Sequence, residues 1–186
     1  CAGGLDCSAT FRYDEIPVPA GYAGLKIAVK GLLGGHSGMD IVLYRANANK
    51  VMARVLLPLL RDLKAELVEI DGGTLRNAIP REAFATVAIE KGKLDEAKKI
   101  VAQIEKNARA EYSATDKDMK ICVEEVQAAS KAIDSKVALN MVKAIYGCPS
   151  SVERMSDAMP GLVETSNNMA MVKSADGVIS VHSLMR

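Results

Sequence analysis

The run Gly34-Gly35-His36-Ser37-Gly38-Met39-Asp40 holds the residues best suited to chemistry: an imidazole beside a hydroxyl in a glycine-rich turn. Glycine-rich turns can cradle phosphate on backbone N–H groups. A P-loop, however, ends in Gly-Lys-Ser/Thr, and a dinucleotide loop needs G-x-G-x-x-G opening into a helix; neither pattern stands here. His36 and Ser37 are neighbours in sequence, which seldom lets two side chains face each other for proton transfer, and no second histidine lies nearby to complete a triad. A plain reading stays open, in which His36 is a solvated histidine in a tight turn.

A second polar segment, Arg76-Asn77-Ala78-Ile79-Pro80-Arg81-Glu82-Ala83, follows Gly72-Gly73. Asn77 either bonds its own backbone in a hairpin loop or presents its amide to a ligand. His182 alternates with serines and a valine and reads as solvated surface. The chain has His36 and His182 as its only histidines and four cysteines, Cys1, Cys7, Cys122 and Cys148. None falls into C-x-x-C, H-x-x-x-H or C-x-x-x-H spacing, so no zinc site made by this chain alone is expected. Four scattered cysteines do not form a disulfide framework, which points to a reducing, cytoplasmic setting.

The elements that must hold these segments follow from periodicity. Leu25, Ile27 and Val29 alternate with Lys26, Ala28 and Lys30, the pattern of a half-buried strand. Apolar residues recur at helical spacing over 47–65, with Pro58 inside the run predicting a kink. Strands are expected at Leu67, Val68 and Ile70 and over 84–89, then a helix over 94–112 whose first turn carries Asp95 and Glu96. A further strand carries Met119, Ile121 and Val123. The order strand, helix, strand, strand, helix, strand predicts an α+β fold: a ferredoxin-like βαββαβ antiparallel sheet with both helices on one face, at about 23–126.

A third helix over 134–146 and strands at 5–13, 151–155, 164–172 and 178–185 extend that lobe or form a second half-lobe. This extension spans about 1–16 and 130–186. The stretch Pro17-Val18-Pro19-Ala20-Gly21 is the one that reads as a linker.

Composition excludes several classes. Lys plus Arg number 24 against 23 Asp plus Glu, a net charge of +1. That balance speaks against an electrostatically driven nucleic-acid or membrane-surface role. Five Tyr, two Phe and no Trp leave little to stack on bases. No apolar run is long enough for a membrane-spanning helix, and the opening residues do not form a signal peptide.

The run Val29-Lys30-Gly31-Leu32-Leu33-Gly34-Gly35-His36-Ser37-Gly38-Met39-Asp40-Ile41, followed by Arg45-Ala46-Asn47-Ala48-Asn49-Lys50, resembles the lid domain of aminoacyl-histidine (Xaa-His) dipeptidases, members of a di-zinc metallopeptidase superfamily. The loop 76–83 is similar to that family's second lid signature. Gly161-Leu162-Val163-Glu164-Thr165-Ser166-Asn167-Asn168 and the closing Ser183-Leu184-Met185-Arg186 resemble a third. Where this family often has a histidine, Val42 stands, and glycines near Tyr44 and Ala46 are missing; these departures bear on substrate preference.

The resemblance implies that 1–186 is one lid domain excised from a longer metallopeptidase, with Cys1-Ala2-Gly3-Gly4-Leu5-Asp6 just after the catalytic half leaves off. Two zinc ions would belong to the parent and none to this segment. His36 would stabilise an oxyanion, Asn77 would hold a polar part of the substrate backbone, and Arg186 would take a terminal carboxylate. The implied partners are the chain's own catalytic domain, a dipeptide substrate, and a second copy in a homodimer through the lid. The segment alone is expected to be inactive. The competing reading is a free-standing ferredoxin-like interaction or small-ligand-binding module.

Overall fold

The computed structural model describes residues 3–186; Cys1 and Ala2, where the expected domain boundary begins, lie outside the described residues. Strand β1 (Leu5–Arg12) is followed by the short β2 (Glu15–Pro17) and by β3 (Tyr22–Lys30). After the glycine-rich loop, which includes β4 (Gly35–His36), comes helix α1 (Ala48–Arg61). Strands β5 (Glu66–Gly72), β6 (Ala78–Ile79) and β7 (Ala83–Glu90) lead to helix α2 (Leu94–Glu111), β8 (Lys120–Val126) and β9 (Lys131–Ile133). Helix α3 (Ser135–Gly147) and strands β10 (Ser151–Met155), β11 (Val163–Ala175) and β12 (Val178–Met185) complete the chain.

One eight-stranded sheet runs β1-β12-β11-β5-β7-β3-β8, with β10 on a separate stretch of β11. The inner order β5-β7-β3-β8 is the one a βαββαβ unit makes when both crossovers lie on one face. In β3 the alternation separates the faces as expected: Leu25, Ile27 and Val29 are fully buried and Lys26 is exposed. Their antiparallel partners Val87 and Ala85 on β7 belong to the same core.

The helices form the covering layer. Val51, Met52, Val55, Leu56 and Leu59 of α1 are buried at three- and four-residue spacing, and α1 packs between α2 and α3. Pro58 lies inside α1, which runs through it and ends at Arg61, four residues short of the expected limit. Lys64, at φ +58°, then turns the chain into β5.

The extension does not build a second half-lobe. It continues the first lobe's sheet through Val172↔Gly72 and Lys173↔Asp71, while α3 joins the helix layer beside α1. The expected linker is also corrected in part. Pro17 pairs with Lys131 in the β2–β9 ladder, where an edge position lacks any need for the N–H that proline does not have.

Asn47 and Lys50 fasten these layers. Asn47 caps α1, its Oδ1 accepting from the N–H groups of Asn49 and Lys50, and its Nδ2 donates to Ser150 Oγ and the Met169 carbonyl. Lys50 Nζ donates to the carbonyls of Ile145, Tyr146 and Cys148 at 2.8, 2.7 and 2.5 Å, closing the C-terminal end of α3. A cation suits that end of the helix dipole. Burial holds the Lys50 amine below its ordinary pKa, an effect the Cys148 thiol opposes.

Candidate functional site

The loop between β3 and α1 is closed at its base by Asp116. This carboxylate is 1% exposed. Its Oδ1 accepts from Leu33 N–H at 2.9 Å and its Oδ2 from Ala46 N–H at 2.8 Å, so one side chain clamps both ends of the loop. The Thr115 hydroxyl donates to Oδ2 at 2.7 Å. Inside the loop, Arg45 Nη1 donates to the Gly34 carbonyl at 2.6 Å and lies 3.7 Å from Asp40 Oδ2. A Cβ at Gly35 would come within 2.6 Å of both those side-chain atoms, and Gly35 holds φ +142°. Glycine is therefore required where the Asp40–Arg45 pair crosses the backbone.

This frame sets the state of His36. Its N–H donates to Asp40 Oδ2 at 2.8 Å, and its carbonyl accepts from Asp40 N–H at 2.8 Å. Its ring Nδ1 accepts from the N–H groups of Gly38 and Met39 at 3.1 and 3.3 Å. A nitrogen that accepts backbone hydrogen bonds carries no proton, so the proton of the neutral ring sits on Nε2. The loop thus presents one imidazole donor on a half-buried side chain and holds its orientation through the other ring nitrogen.

The three residues singled out in the sequence come together here. Gly35 pairs with Ile79 and His36 with Ala78 in the β4–β6 ladder, and Ser37 N–H donates to the Asn77 carbonyl at 2.9 Å. Asn77 is exposed, and its carbonyl meets the neighbouring strand, not its own turn. Arg186 exchanges backbone hydrogen bonds with Ser166 at 2.7 and 2.9 Å. Its guanidinium lies over Gly38, and its Nε is buried without a protein partner. His182 sits elsewhere, on β12, with Nδ1 2.8 Å from Ser8 Oγ.

Several members of the frame escaped sequence reasoning. Asp116 and Asn168 bind across 70 to 92 residues, which no local spacing announces, whereas Asp40 and Arg45 stand in the histidine-loop run with no role assigned to them from sequence. Asn47 alone had a signal, as an asparagine immediately before a helical apolar pattern. Among the described residues, no group of three or more His, Cys, Asp or Glu side chains could hold a metal ion. Nor, among the described residues, is any helix long and apolar enough to cross a membrane.

Residues 27–116, which run from within β3 through the clamped histidine loop and α2 to Asp116, match the family described as the peptidase dimerisation domain (M20_dimer). Over all 186 residues the chain is 37% identical to the cytosol non-specific dipeptidase of Escherichia coli (strain K12). It superposes with a TM-score of 0.96, at 37% identity and over its whole length, on the crystal structure of aminoacylhistidine dipeptidase from Vibrio alginolyticus. The chain spans 38% of the length of each of these relatives.

Proposed function

We propose that this chain is the lid of a cytoplasmic zinc-dependent dipeptidase acting on Xaa-His-type dipeptides. Whole-length similarity to one segment of two longer dipeptidases favours this over a free-standing binding module. The observation that carries the chemistry is the tethering of His36 Nδ1 by two backbone N–H groups, which leaves Nε2–H as an aimed donor.

Two zinc ions held by the parent's remaining part would activate a water and polarise the scissile carbonyl. The side chains described here build no such metal site, and their contribution is different in kind. His36 Nε2–H donates to the oxygen that becomes negative as the amide is attacked. A preorganised donor of this sort is worth about 3–4 kcal/mol in the transition state. Asn77 offers its exposed amide to the substrate backbone. Arg186 offers the open side of a planar guanidinium to the terminal carboxylate, a bidentate fit.

Pairing of two copies through the lid belongs to the same proposal. Strand β5 is already flanked by β7 and β11, and α1 by α3. Among the described residues, β1, β8 and β10 each pair on one side alone and leave an edge of the large sheet to such a pairing. The test is hydrolysis of Xaa-His dipeptides by the full-length parent, abolished by a chelator and restored by zinc. The 186-residue chain alone should show no turnover, and a full-length protein without metal-dependent dipeptidase activity would refute the reading.

A further inference from the structure

We infer that Asn168 is a positioning residue, whose buried amide fixes the segment that holds both His36 and Asn77 in place. The inference rests on the function proposed above. Asn168 lies on β11, is 1% exposed, and its Nδ2 donates to the Ala78 carbonyl at 2.8 Å and the Arg76 carbonyl at 3.4 Å. Those two carbonyls bracket Asn77. Ala78 is also the register partner of His36, and Ser37 N–H bonds the Asn77 carbonyl. Strands β4 and β6 are two residues each, too short a ladder to hold a fixed geometry by itself. One amide therefore supplies the anchor that the ladder lacks.

The same residue reaches the third site residue through its own strand. Asn168 is paired with Leu184 on β12, two positions before Arg186. Hence β11, paired with the strand that ends in the guanidinium, is tied through the Asn168 side chain to the segment that pairs with the histidine loop. Its Oδ1 is buried without a partner. The amide is thus placed by its donor end, and an aspartate of the same size would set a carboxylate against two carbonyl oxygens. The neighbouring Asn167 points to the opposite face, where its Nδ2 donates to the Pro149 carbonyl at 2.6 Å, and it serves as a control.

The experiment uses the full-length parent with Asn168→Ala and Asn168→Asp, each alone and combined with His36→Ala. The expected result is a kcat lowered about tenfold or more by each Asn168 variant, with metal content unchanged and Asn167→Ala near wild type. In the His36→Ala background, Asn168→Ala should cost less than about twofold, because the group it positions is gone. A loss that simply multiplies with that of His36→Ala, or wild-type kcat in the Asn168 variants, overturns the positioning role alone. Wild-type kcat in His36→Ala itself overturns the functional reading and this inference together. If Asn168→Ala does not fold, the near-isosteric Asn168→Leu keeps the packing volume and is judged by the same outcomes.

Discussion

Gly38 lies beneath the guanidinium of Arg186: a Cβ built on Gly38 would come within 3.1 Å of both Cζ and Nη1. The contact joins the loop after β3 to the last residue of the chain, 148 positions apart, and it is possible because position 38 has no side chain. Gly38 does not need a left-handed backbone, so alanine there tests the contact and not the conformation. In the full-length parent, Gly38→Ala should push the guanidinium aside by a few tenths of an ångström. Steady-state kinetics should show KM for a dipeptide raised about 3- to 10-fold with kcat changed less, the mark of lost uniform binding. An unchanged KM would remove Arg186 from the substrate site.

Asp116 binds the backbone N–H groups of Leu33 and Ala46 with its two oxygens. Asp116→Ala would leave the buried Ala46 donor and the half-buried Leu33 donor without their acceptor, at a cost of about 2–4 kcal/mol in unfolding free energy. Asp116→Asn keeps one acceptor oxygen and should cost less. Urea denaturation checks the order, and equal stability of the wild type and Asp116→Ala would show that the loop closes without its clamp.

Two glycines make a matched pair for backbone effects. Gly73 has φ +74°, and a Cβ there would lie 1.9 Å from the Ala170 carbonyl oxygen. Gly73→Ala should destabilise by about 3 kcal/mol or more, since strain and a backbone clash act together. Gly92 meets nothing within 4 Å. Gly92→Ala should be neutral or stabilising by up to about 1 kcal/mol, through a less flexible unfolded chain. Thermal unfolding of the two variants reads the difference directly.

The fold's local rules were legible because they repeat within a few residues. Leu25, Ile27 and Val29 show period two, Val51, Val55 and Leu59 show a helical face, and both ends of β10 and of β12 fall where their residue types change. The ladders β2–β9 and β4–β6 were not, since strands of two or three residues carry no measurable period. The site divides in the same way. His36, Asn77 and Arg186 stand in recognisable strings, whereas Asp116 and Asn168 gain their roles from partners 70 to 92 residues away. The proton position on His36 depends on loop geometry and has no sequence correlate.

Tyr112 gives a pH-dependent check on the packing of α2. Burial, reinforced by Glu111, pushes its phenol up to about 12 from an ordinary value of 10.0. The folded state therefore holds the proton more tightly than the unfolded state, and stability is lost as pH rises from about 10 to about 12. Tyr112→Phe has no proton to lose there. The stability of the wild type relative to Tyr112→Phe should fall across that range in urea titrations, and a constant difference would mean that the phenol is solvated.

The central claim is that His36 supplies an oxyanion donor to a metal centre it does not help to build. The direct measurement is kcat for an Xaa-His dipeptide in the full-length parent carrying His36→Ala, with zinc content determined on the same sample. The account predicts a fall of about 10²- to 10³-fold in kcat with zinc content unchanged. Turnover at the wild-type rate, or a loss matched by lost zinc, would contradict it.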